Sequence, residues 1–327
     1  MRSFGLGFLL AVMCTIGIQR AADAQQELPG ADTNGRPKFR SAVNLVSLSV
    51  SVTDSHERPV PGLSKVDFAV FEDGKPQEIS YFAGEPAALD LAILLDTSGS
   101  MQARLEMVQD AAVRLIGALR PGDRASFTEV KRGATTLQPM SGDFSGLEAA
   151  IRGTTAGGET AIYQAVYIAL RELQRIASPT EARRQALVVL SDGDDTASRL
   201  SFDDVLEAAR RSGVAIYGVS LRPLSLSPVR DMGIPTRDRV DGDYALRTLA
   251  ETTGGRAFFK LAPRDLSRVC SSIAHELALQ YSLGYVSADQ REDGRFRHVA
   301  VRIVSSSTTR ARTRPGYFAV GRLASLR

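Results

Sequence analysis

The fold is decided by the stretch Leu91-Ala92-Ile93-Leu94-Leu95-Asp96-Thr97-Ser98-Gly99-Ser100. Its first five residues are all apolar, which is typical of a strand buried on both faces of a parallel sheet. The strand pattern ends at Asp96, and a short polar loop follows. Beyond the loop, apolar residues recur at spacings of three and four and predict one amphipathic helix: Leu105, Val108, Ala112, Leu115 and Leu119. A buried strand, a polar loop and a helix in this order begin a β-α-β unit.

The same alternation continues along the middle of the chain. A second apolar run, Ala186–Leu190, ends at Asp192. Further strands are predicted at 124–130, 135–140, 214–221 and 257–261, and further helices at 162–176, 202–211, 246–252 and 266–279. Consecutive β-α-β units have right-handed crossovers and place helices on both sides of one sheet. The sequence therefore predicts an α/β fold with a doubly wound, mainly parallel, Rossmann-like sheet.

Both ends of the chain have a different, β-rich character. Apolar residues alternate with polar ones from Val43 to Val52, and Glu72-Asp73-Gly74-Lys75 is typical of a hairpin turn. We expect a β-rich segment at 41–86, the α/β domain at 87–280, and a second β-rich segment at 281–327. Because a lone hairpin is marginally stable, each end needs a partner. One arrangement that satisfies both is a smaller β-rich domain built from the two flanks.

The first residues have the pattern of an export signal. Arg2 precedes an apolar stretch at 4–18, and Ala22-Asp23-Ala24 forms an A-x-A cleavage site. We expect a signal peptide at 1–24 and a disordered leader at 25–40, with an uncleaved N-terminal anchor as the alternative. The mature chain would be periplasmic or secreted, without a transmembrane segment. It would keep one cysteine, Cys270, which we expect in the core and without a disulfide partner.

The composition argues against nucleic-acid binding. The 327 residues include 40 basic and 37 acidic ones, so the net charge of +3 is small, and no long block of one sign occurs. Aromatic residues make up 6%, and tryptophan is absent, which also disfavours a base-stacking surface.

The loop after the first buried strand carries oxygen ligands suited to a hard cation. Asp96 offers a carboxylate, Ser98 and Ser100 offer hydroxyls two residues apart, and Gly99 allows a tight turn between them. Mg²⁺ prefers about six oxygen ligands at roughly 2.0–2.1 Å. Open α/β sheets place ligands at the carboxyl ends of their strands. This loop is therefore the first candidate for a metal site.

Two further loops can complete the shell of oxygen ligands. Thr160 follows Gly157-Gly158-Glu159 and precedes a predicted helix, and Asp192 ends the second buried strand. Each has a simpler interpretation, because Ser and Thr before a helix are most often caps and Asp-Gly is most often a turn. All three loops occur in order, and each lies where a predicted strand ends or a predicted helix begins. This arrangement favours the metal site.

These motifs resemble the metal ion-dependent adhesion site of von Willebrand factor type A domains. The resemblance covers about Ala87 to Leu279 and implies a doubly wound sheet with the metal at its top. It implies that Ser98, Ser100 and Thr160 contact the ion, while Asp96 and Asp192 bind directly or through water. In many members the threonine directly follows the two glycines, whereas here Glu159 is inserted between them.

The flanking segments resemble a narrower group, the exported VWFA-related proteins found mostly in Acidobacteria-type genomes. The motifs that carry this similarity are Asn44-Leu45-Val46, Phe68-Ala69-Val70-Phe71-Glu72-Asp73-Gly74 and Arg314-Pro315-Gly316-Tyr317-Phe318.

The function that these features favour is divalent-cation-dependent recognition of a protein partner. An ion held by one direct carboxylate keeps a net positive field, so an Asp or Glu carboxylate of the partner can fill its open position. The sequence leaves open Mg²⁺, Mn²⁺ or Ca²⁺, and also the oligomeric state. One alternative is a structural or assembly module of the envelope with a vestigial metal site. The other is a metal-dependent hydrolase, which is disfavoured because the three histidines, His56, His275 and His298, lie outside the site loops.

Overall fold

The computed structural model of the chain describes residues 45–85, 87–178, 181, 183–192, 194–222 and 240–319. The expected signal peptide and leader lie outside these residues. The strands are β1 (Leu45–Thr53), β2 (Phe68–Glu72), β3 (Lys75–Gln77), β4 (Ile79–Ala83), β5 (Leu89–Asp96), β6 (Arg124–Val130), β7 (Ala134–Ser141), β8 (Arg184–Ser191), β9 (Ala215–Ser220), β10 (Ala257–Phe258), β11 (Tyr281–Val286), β12 (Phe296–Ile303), β13 (Arg310–Arg312) and β14 (Gly316–Phe318). The α-helices are α1 (Leu105–Gly117), α2 (Phe144–Arg152), α3 (Ile162–Ile176), α4 (Phe202–Ser212), α5 (Gly242–Thr253) and α6 (Leu266–Ala278).

A six-stranded sheet forms the centre of the molecule, in the order β10-β9-β8-β5-β6-β7. Neighbouring strands from β10 to β6 are parallel, and β7 returns antiparallel to β6. The predicted doubly wound, mainly parallel sheet is confirmed. Strand β5 lies between β8 and β6, so the loops that follow β5 and β8 begin side by side.

Strand β5 is buried on both faces, as its continuous apolar run predicts. Leu91, Ile93 and Leu95 pack into one cluster with residues of α1, α2 and α6. Ala92 and Leu94 point the other way, into a cluster with residues of α3, α4 and α5. Each fully buried large apolar side chain contributes about 1.5–3 kcal/mol relative to exposure. Burial on two faces therefore fixes β5 firmly under its polar loop.

Three elements differ from the sequence prediction. Helix α2 was not predicted, because it is short and buries two residues, Leu147 and Ile151, too few to establish a period. Helix α5 begins at Gly242 and not at the predicted residue 246, since the Asp241 side chain accepts a hydrogen bond from the Tyr244 N–H at 3.0 Å and caps the helix. Strand β10 has two residues instead of the predicted five, and the extended path ends before Lys260, whose φ is 53°.

The two flanks form two antiparallel sheets, in the orders β13-β1-β11-β4 and β14-β12-β2-β3. Each sheet combines strands from before and after the central domain: β1 pairs with β11 and β13, and β12 pairs with β2. The predicted β-rich addition built from both flanks is confirmed. The two sheets share one apolar cluster, to which Val50 and Tyr281 contribute from one sheet and Phe68 and Val299 from the other.

A buried polar network joins the central domain to the flanking sheets. Glu276 of α6 accepts hydrogen bonds from the Ser51 hydroxyl of β1 at 2.9 Å and from the Tyr217 hydroxyl of β9 at 2.7 Å. It also forms an ion pair with Arg312 of β13. Gln280 donates from its side-chain amide to Ser51 and Tyr217. Because these partners come from four elements, the network fixes the flanks against the last helix of the domain.

No helix among the described residues has both the length and the apolar character needed to cross a membrane. Cys270 is fully buried on α6 and forms no disulfide.

Candidate metal centre

The candidate site lies where β5 and β8 end next to each other. Asp96 is the last residue of β5, and Ser191 is the last residue of β8. The strands pair in parallel up to Leu95 and Leu190, so their carboxyl ends meet at one edge of the sheet. The loops that begin there bring together side chains from distant parts of the sequence.

Asp96 is anchored within the protein by two hydrogen bonds. Its Oδ1 accepts from the Ser98 N–H at 2.9 Å, and its Oδ2 accepts from the Ser191 hydroxyl at 2.7 Å. The residue has no exposed surface. Burial raises the pKa of Asp96, hydrogen bonds from Ser98 and Ser191 act in the opposite direction, and the negative charge of Asp192 raises it further. Asp96 is therefore a buried carboxylate close to a second one, and its ionised form is disfavoured.

A chain of hydrogen bonds connects Ser98, Ser100 and Asp192. The Ser98 and Ser100 hydroxyl oxygens are 3.0 Å apart, and the Ser100 hydroxyl donates to Oδ2 of Asp192 at 2.8 Å. Together with the bond from the Ser98 N–H to Asp96, these contacts bring four of the five sequence-predicted residues into one connected cluster. All four offer oxygen atoms, the ligands that a hard cation prefers.

The loop that carries Thr160 is fastened to the loop after β5. The Gly99 N–H donates to the Gly158 carbonyl at 3.0 Å, and the Gly157 N–H donates to the Thr97 carbonyl at 2.8 Å. Gly158 adopts a φ of +81°, a conformation that L side chains rarely adopt. Thr160 itself is 4% exposed. These contacts hold the threonine loop against the serine loop.

The inserted Glu159 points away from this cluster. Its side chain is half exposed and forms an ion pair of 2.8 Å with the largely exposed Arg132. The extra residue relative to many von Willebrand factor type A domains is thus accommodated on the surface, while Thr160 stays buried.

The segment after Asp192 supports the site through hydrogen bonds that the sequence did not predict. Asp195 accepts hydrogen bonds from the N–H of Tyr163 and from Ser198, and so caps the start of α3. The Thr196 hydroxyl accepts from the Thr160 N–H at 3.0 Å, and the Thr196 N–H donates back to the Thr160 carbonyl. Asp195 caps a helix that precedes it in the chain, so no local pattern predicts this contact, and none links Thr196 to Thr160.

Two further carboxylates, those of Asp194 and Asp195, follow Asp192 closely in the chain. Asp195 is engaged in capping α3, and Asp194 forms an ion pair with Arg222 at 2.7 Å. Arg222 also pairs with Asp241 at 2.9 Å. The charged groups beside the candidate site are therefore largely paired, which leaves Asp96 and Asp192 as its carboxylates.

The residues fit a divalent cation by the chemistry of their donors. The set consists of the Asp96 and Asp192 carboxylates and the hydroxyls of Ser98, Ser100 and Thr160. Among the described residues, no group of three or more His, Cys, Asp or Glu side chains is arranged for a metal. The candidate centre thus depends on hydroxyl ligands, in agreement with a hard cation such as Mg²⁺ and not with a thiolate or imidazole site. A positive ion would also offset the repulsion between the two carboxylates.

Residues 91–194 match the family model described as the von Willebrand factor type A domain. This range contains all five candidate ligands. A search of curated proteins gives no match to the sequence.

Solved structures with similar folds include three of different origin. An aerotolerance-related membrane protein from Bacteroides fragilis NCTC 9343, with multiple mutations to serines, is 19% identical over 58% of this chain and 98% of that chain, with a TM-score of 0.45. A von Willebrand factor type A structure from Catenulispora acidiphila is 12% identical over 88% and 77%, also with a TM-score of 0.45. Proximal thread matrix protein 1 from the mussel byssus, with a zinc-occupied MIDAS motif, is 18% identical over 62% and 48%, with a TM-score of 0.44. At these values the similarities carry no conclusion about the function of this chain.

Proposed function

We propose that this chain, whose residues 91–194 form a von Willebrand factor type A domain, uses that domain for divalent-cation-dependent binding of a protein partner. The ion, Mg²⁺ or alternatively Mn²⁺ or Ca²⁺, is held by Asp96, Ser98, Ser100, Thr160 and Asp192. The partner supplies an Asp or Glu carboxylate. The place of action is the periplasm or the exterior of the cell.

The observation that carries this proposal is the hydrogen-bonded cluster at the ends of β5 and β8. The Ser100 hydroxyl contacts Asp192 at 2.8 Å and lies 3.0 Å from the Ser98 hydroxyl. Three oxygen-bearing side chains from two loops are therefore already linked by direct contacts. A simple helix cap or turn would not bring the end of β8 to the serines that follow β5.

The charges at the site support an open coordination position. Both oxygens of Asp96 already accept hydrogen bonds, from Ser98 and Ser191, which suits a role in holding the loop and a bound water. Asp192 is partly exposed, and among the described residues its carboxylate accepts one hydrogen bond, from Ser100. An ion with one direct carboxylate and neutral hydroxyls keeps a net positive charge, and this charge attracts the carboxylate of a partner.

The described residues favour binding over catalysis. All three histidines are exposed: His56 on the loop after β1, His275 on α6 and His298 on β12. None belongs to the loops of the candidate site, so no imidazole stands beside the cation to act as a general base.

Isothermal calorimetry of the chain with MgCl₂ and MnCl₂ tests the metal site directly. We expect a saturable heat in the wild type that is lost in Asp96→Ala. Because Asp96 is fully buried, its replacement also removes the partner of the Ser191 hydroxyl and can weaken the fold. Ser100→Ala is the milder variant, since Ser100 is exposed; it should bind the cation at least about tenfold more weakly, the loss typical of one good ligand interaction.

The matched control is Glu251→Gln, which removes an exposed carboxylate on α5. It should bind the cation as tightly as the wild type. Circular dichroism of each variant separates loss of the site from loss of the fold. No cation heat in a folded wild-type chain, or full binding in Ser100→Ala and Asp96→Ala, would refute the proposal and favour a structural module with a vestigial site.

A further inference from the structure

A cavity lies between the central sheet and the flanking strands, at the end of the sheet opposite the candidate metal centre. Its volume is about 260 Å³, and its walls include Arg184 at the start of β8, Ser47 of β1, and Thr313 and Arg314 after β13. The seven residue steps of β8 separate this end from the metal centre by roughly 23 Å. The cavity is therefore a separate feature of the molecule.

Arg184 brings a buried positive charge to this cavity. The residue is 6% exposed, and its guanidinium donates to three neutral oxygens: the carbonyls of Ala87 and Leu277 and the side chain of Gln280. Its Nη2 is buried and has no hydrogen-bond partner among the described residues. Burial, followed by the nearby Arg120 charge, lowers the pKa of Arg184 to about 10. The group remains charged at neutral pH without an ion-pair partner in the described part of the chain.

Arg314 and Thr313 also line the cavity, and each carries a buried donor atom without a partner among the described residues. Nη2 of Arg314 donates to the Ser47 carbonyl at 3.0 Å, whereas its Nε is buried without a partner among the residues described. The Thr313 hydroxyl is likewise buried and unpartnered within that part of the structure. Burial lowers the pKa of Arg314 as well. An unmade hydrogen bond of a buried charged group is costly.

The acidic groups near the cavity are already occupied. Arg183, which also lines it, pairs with Asp90 at 2.7 Å and with Glu181 at 2.9 Å. Asp123 lies close enough to stabilise the charge of Arg184, but its carboxylate accepts from the N–H groups of Leu89 and Arg120. None of these three acids neutralises Arg184 or Arg314 through direct contact.

Two helix ends offset part of the positive charge. Gly213 and Gly254, which end α4 and α5, also line the cavity. The carboxyl end of a helix carries at most about half a negative charge. Two guanidinium charges exceed this contribution. A water molecule could satisfy the free donors but could not balance the charge.

We propose that this cavity binds a phosphate group, either free or as a small monoester, through Arg184, Arg314 and Thr313. Because these two guanidinium groups have no acidic partner among the described residues, a doubly charged anion would balance their charge. Phosphate carries about −1.5 to −2 charges at neutral pH and has several strong acceptor oxygens. The planar guanidinium of arginine is the side chain best suited to such oxyanions.

A bound phosphate would join the central domain to the flanks. Arg184 belongs to β8 of the central sheet, whereas Thr313 and Arg314 follow β13 of a flanking sheet. The anion would thus stabilise the junction between the two parts of the molecule. This effect is independent of the metal centre.

Calorimetric titration with inorganic phosphate tests the proposal, in EDTA and against sodium chloride of equal ionic strength. Phosphate also stabilises proteins without binding, so the criterion is a saturable heat and not a rise in melting temperature. We expect Arg314→Gln to weaken binding by at least about tenfold and Thr313→Val by about fivefold, as expected for lost hydrogen bonds to a charged group. Methyl phosphate, titrated in parallel, distinguishes the two sources: equal or tighter binding identifies a monoester, and weaker binding identifies free phosphate.

Two controls make the outcome unambiguous. Arg268→Gln removes a largely exposed guanidinium on α6, and Asp192→Asn alters the metal centre; both should bind phosphate like the wild type. If Arg314→Gln fails to fold by circular dichroism, Thr313→Val decides alone. The proposal is overturned if the wild type gives no saturable heat, or if the heat persists unchanged in the folded cavity variants.

Discussion

The hydroxyl of Ser100 donates a hydrogen bond of 2.8 Å to Oδ2 of Asp192, although 92 positions separate the two residues in the chain. This contact joins the loop after β5 to the loop after β8. It exists because the two strands are parallel neighbours in the central sheet, and both loops therefore leave from the same edge.

Asp192→Asn tests the charge at this contact. The amide oxygen can still accept from Ser100, but the negative charge is lost, so Mg²⁺ affinity should fall at least about tenfold. In EDTA the variant should unfold at the same or a higher temperature than the wild type, because the Asp192 charge opposes ionisation of the buried Asp96. Calorimetry with MgCl₂ and a thermal melt in EDTA measure the two effects. Unchanged Mg²⁺ affinity would exclude Asp192 as a ligand.

Glu276→Gln tests the network that fixes the flanks to the last helix. The substitution leaves Arg312 without its buried ion-pair partner, and we expect the free energy of unfolding to fall by about 2–3 kcal/mol. Urea denaturation measures this change. Glu251→Gln is the control, because that exposed carboxylate should be replaceable within about 0.5 kcal/mol. Equal stability of the two variants would show that the network contributes little.

Gly254→Ala tests the close approach between α5 and the segment after β13. A Cβ at this position would lie 2.3 Å from the backbone nitrogen of Arg314, and the φ of +78° is itself unfavourable for alanine. We expect a loss of at least about 3 kcal/mol, since a backbone clash is added to the conformational cost. Gly294→Ala is the matched control, because its φ is +71° and nothing lies within 4 Å. It should lose about 1–2 kcal/mol, and a similar loss in both variants would refute the clash.

Cys270 should resist alkylation in the folded protein. Its side chain is fully buried, and burial raises its pKa to about 12. At pH 8 only about one thiol in ten thousand would be ionised, and the thiolate is the reactive form. Peptide mass spectrometry after treatment with iodoacetamide should show Cys270 unmodified in buffer and modified in 8 M urea. Rapid modification in buffer would mean that α6 opens readily.

Much of the fold was predictable from local patterns. The apolar run at Leu91–Leu95 and its counterpart at Ala186–Leu190 identify strands buried on both faces, because no face is left for polar residues. The boundaries of α3, Ile162–Ile176, follow from its apolar spacing alone. Helix α2 escaped prediction because a nine-residue helix with two buried side chains has too weak a period.

For the candidate site, the sequence identified the residue types, and the structure shows which of them lie close together. Asp96, Ser98 and Ser100 are close in sequence, so their convergence is a property of one loop. The approach of Asp192 depends on the order of strands in the sheet. The hydrogen bonds that Thr196 forms with Thr160 and Ser191 forms with Asp96 could not be predicted from local sequence, because single hydroxyl residues in loops are common.

By itself, then, the sequence determined the α/β class, the β-rich character of both flanks and the oxygen-rich loop after β5, since hydrophobic period and turn chemistry act over a few neighbouring residues. The tertiary structure alone decided that Ser100 meets Asp192, that Glu276 is shared by Ser51, Tyr217 and Arg312, and that Arg184 and Arg314 face one cavity. These relationships join residues far apart in the chain. They depend on strand order and on which charges remain without partners after packing, and a linear pattern encodes neither.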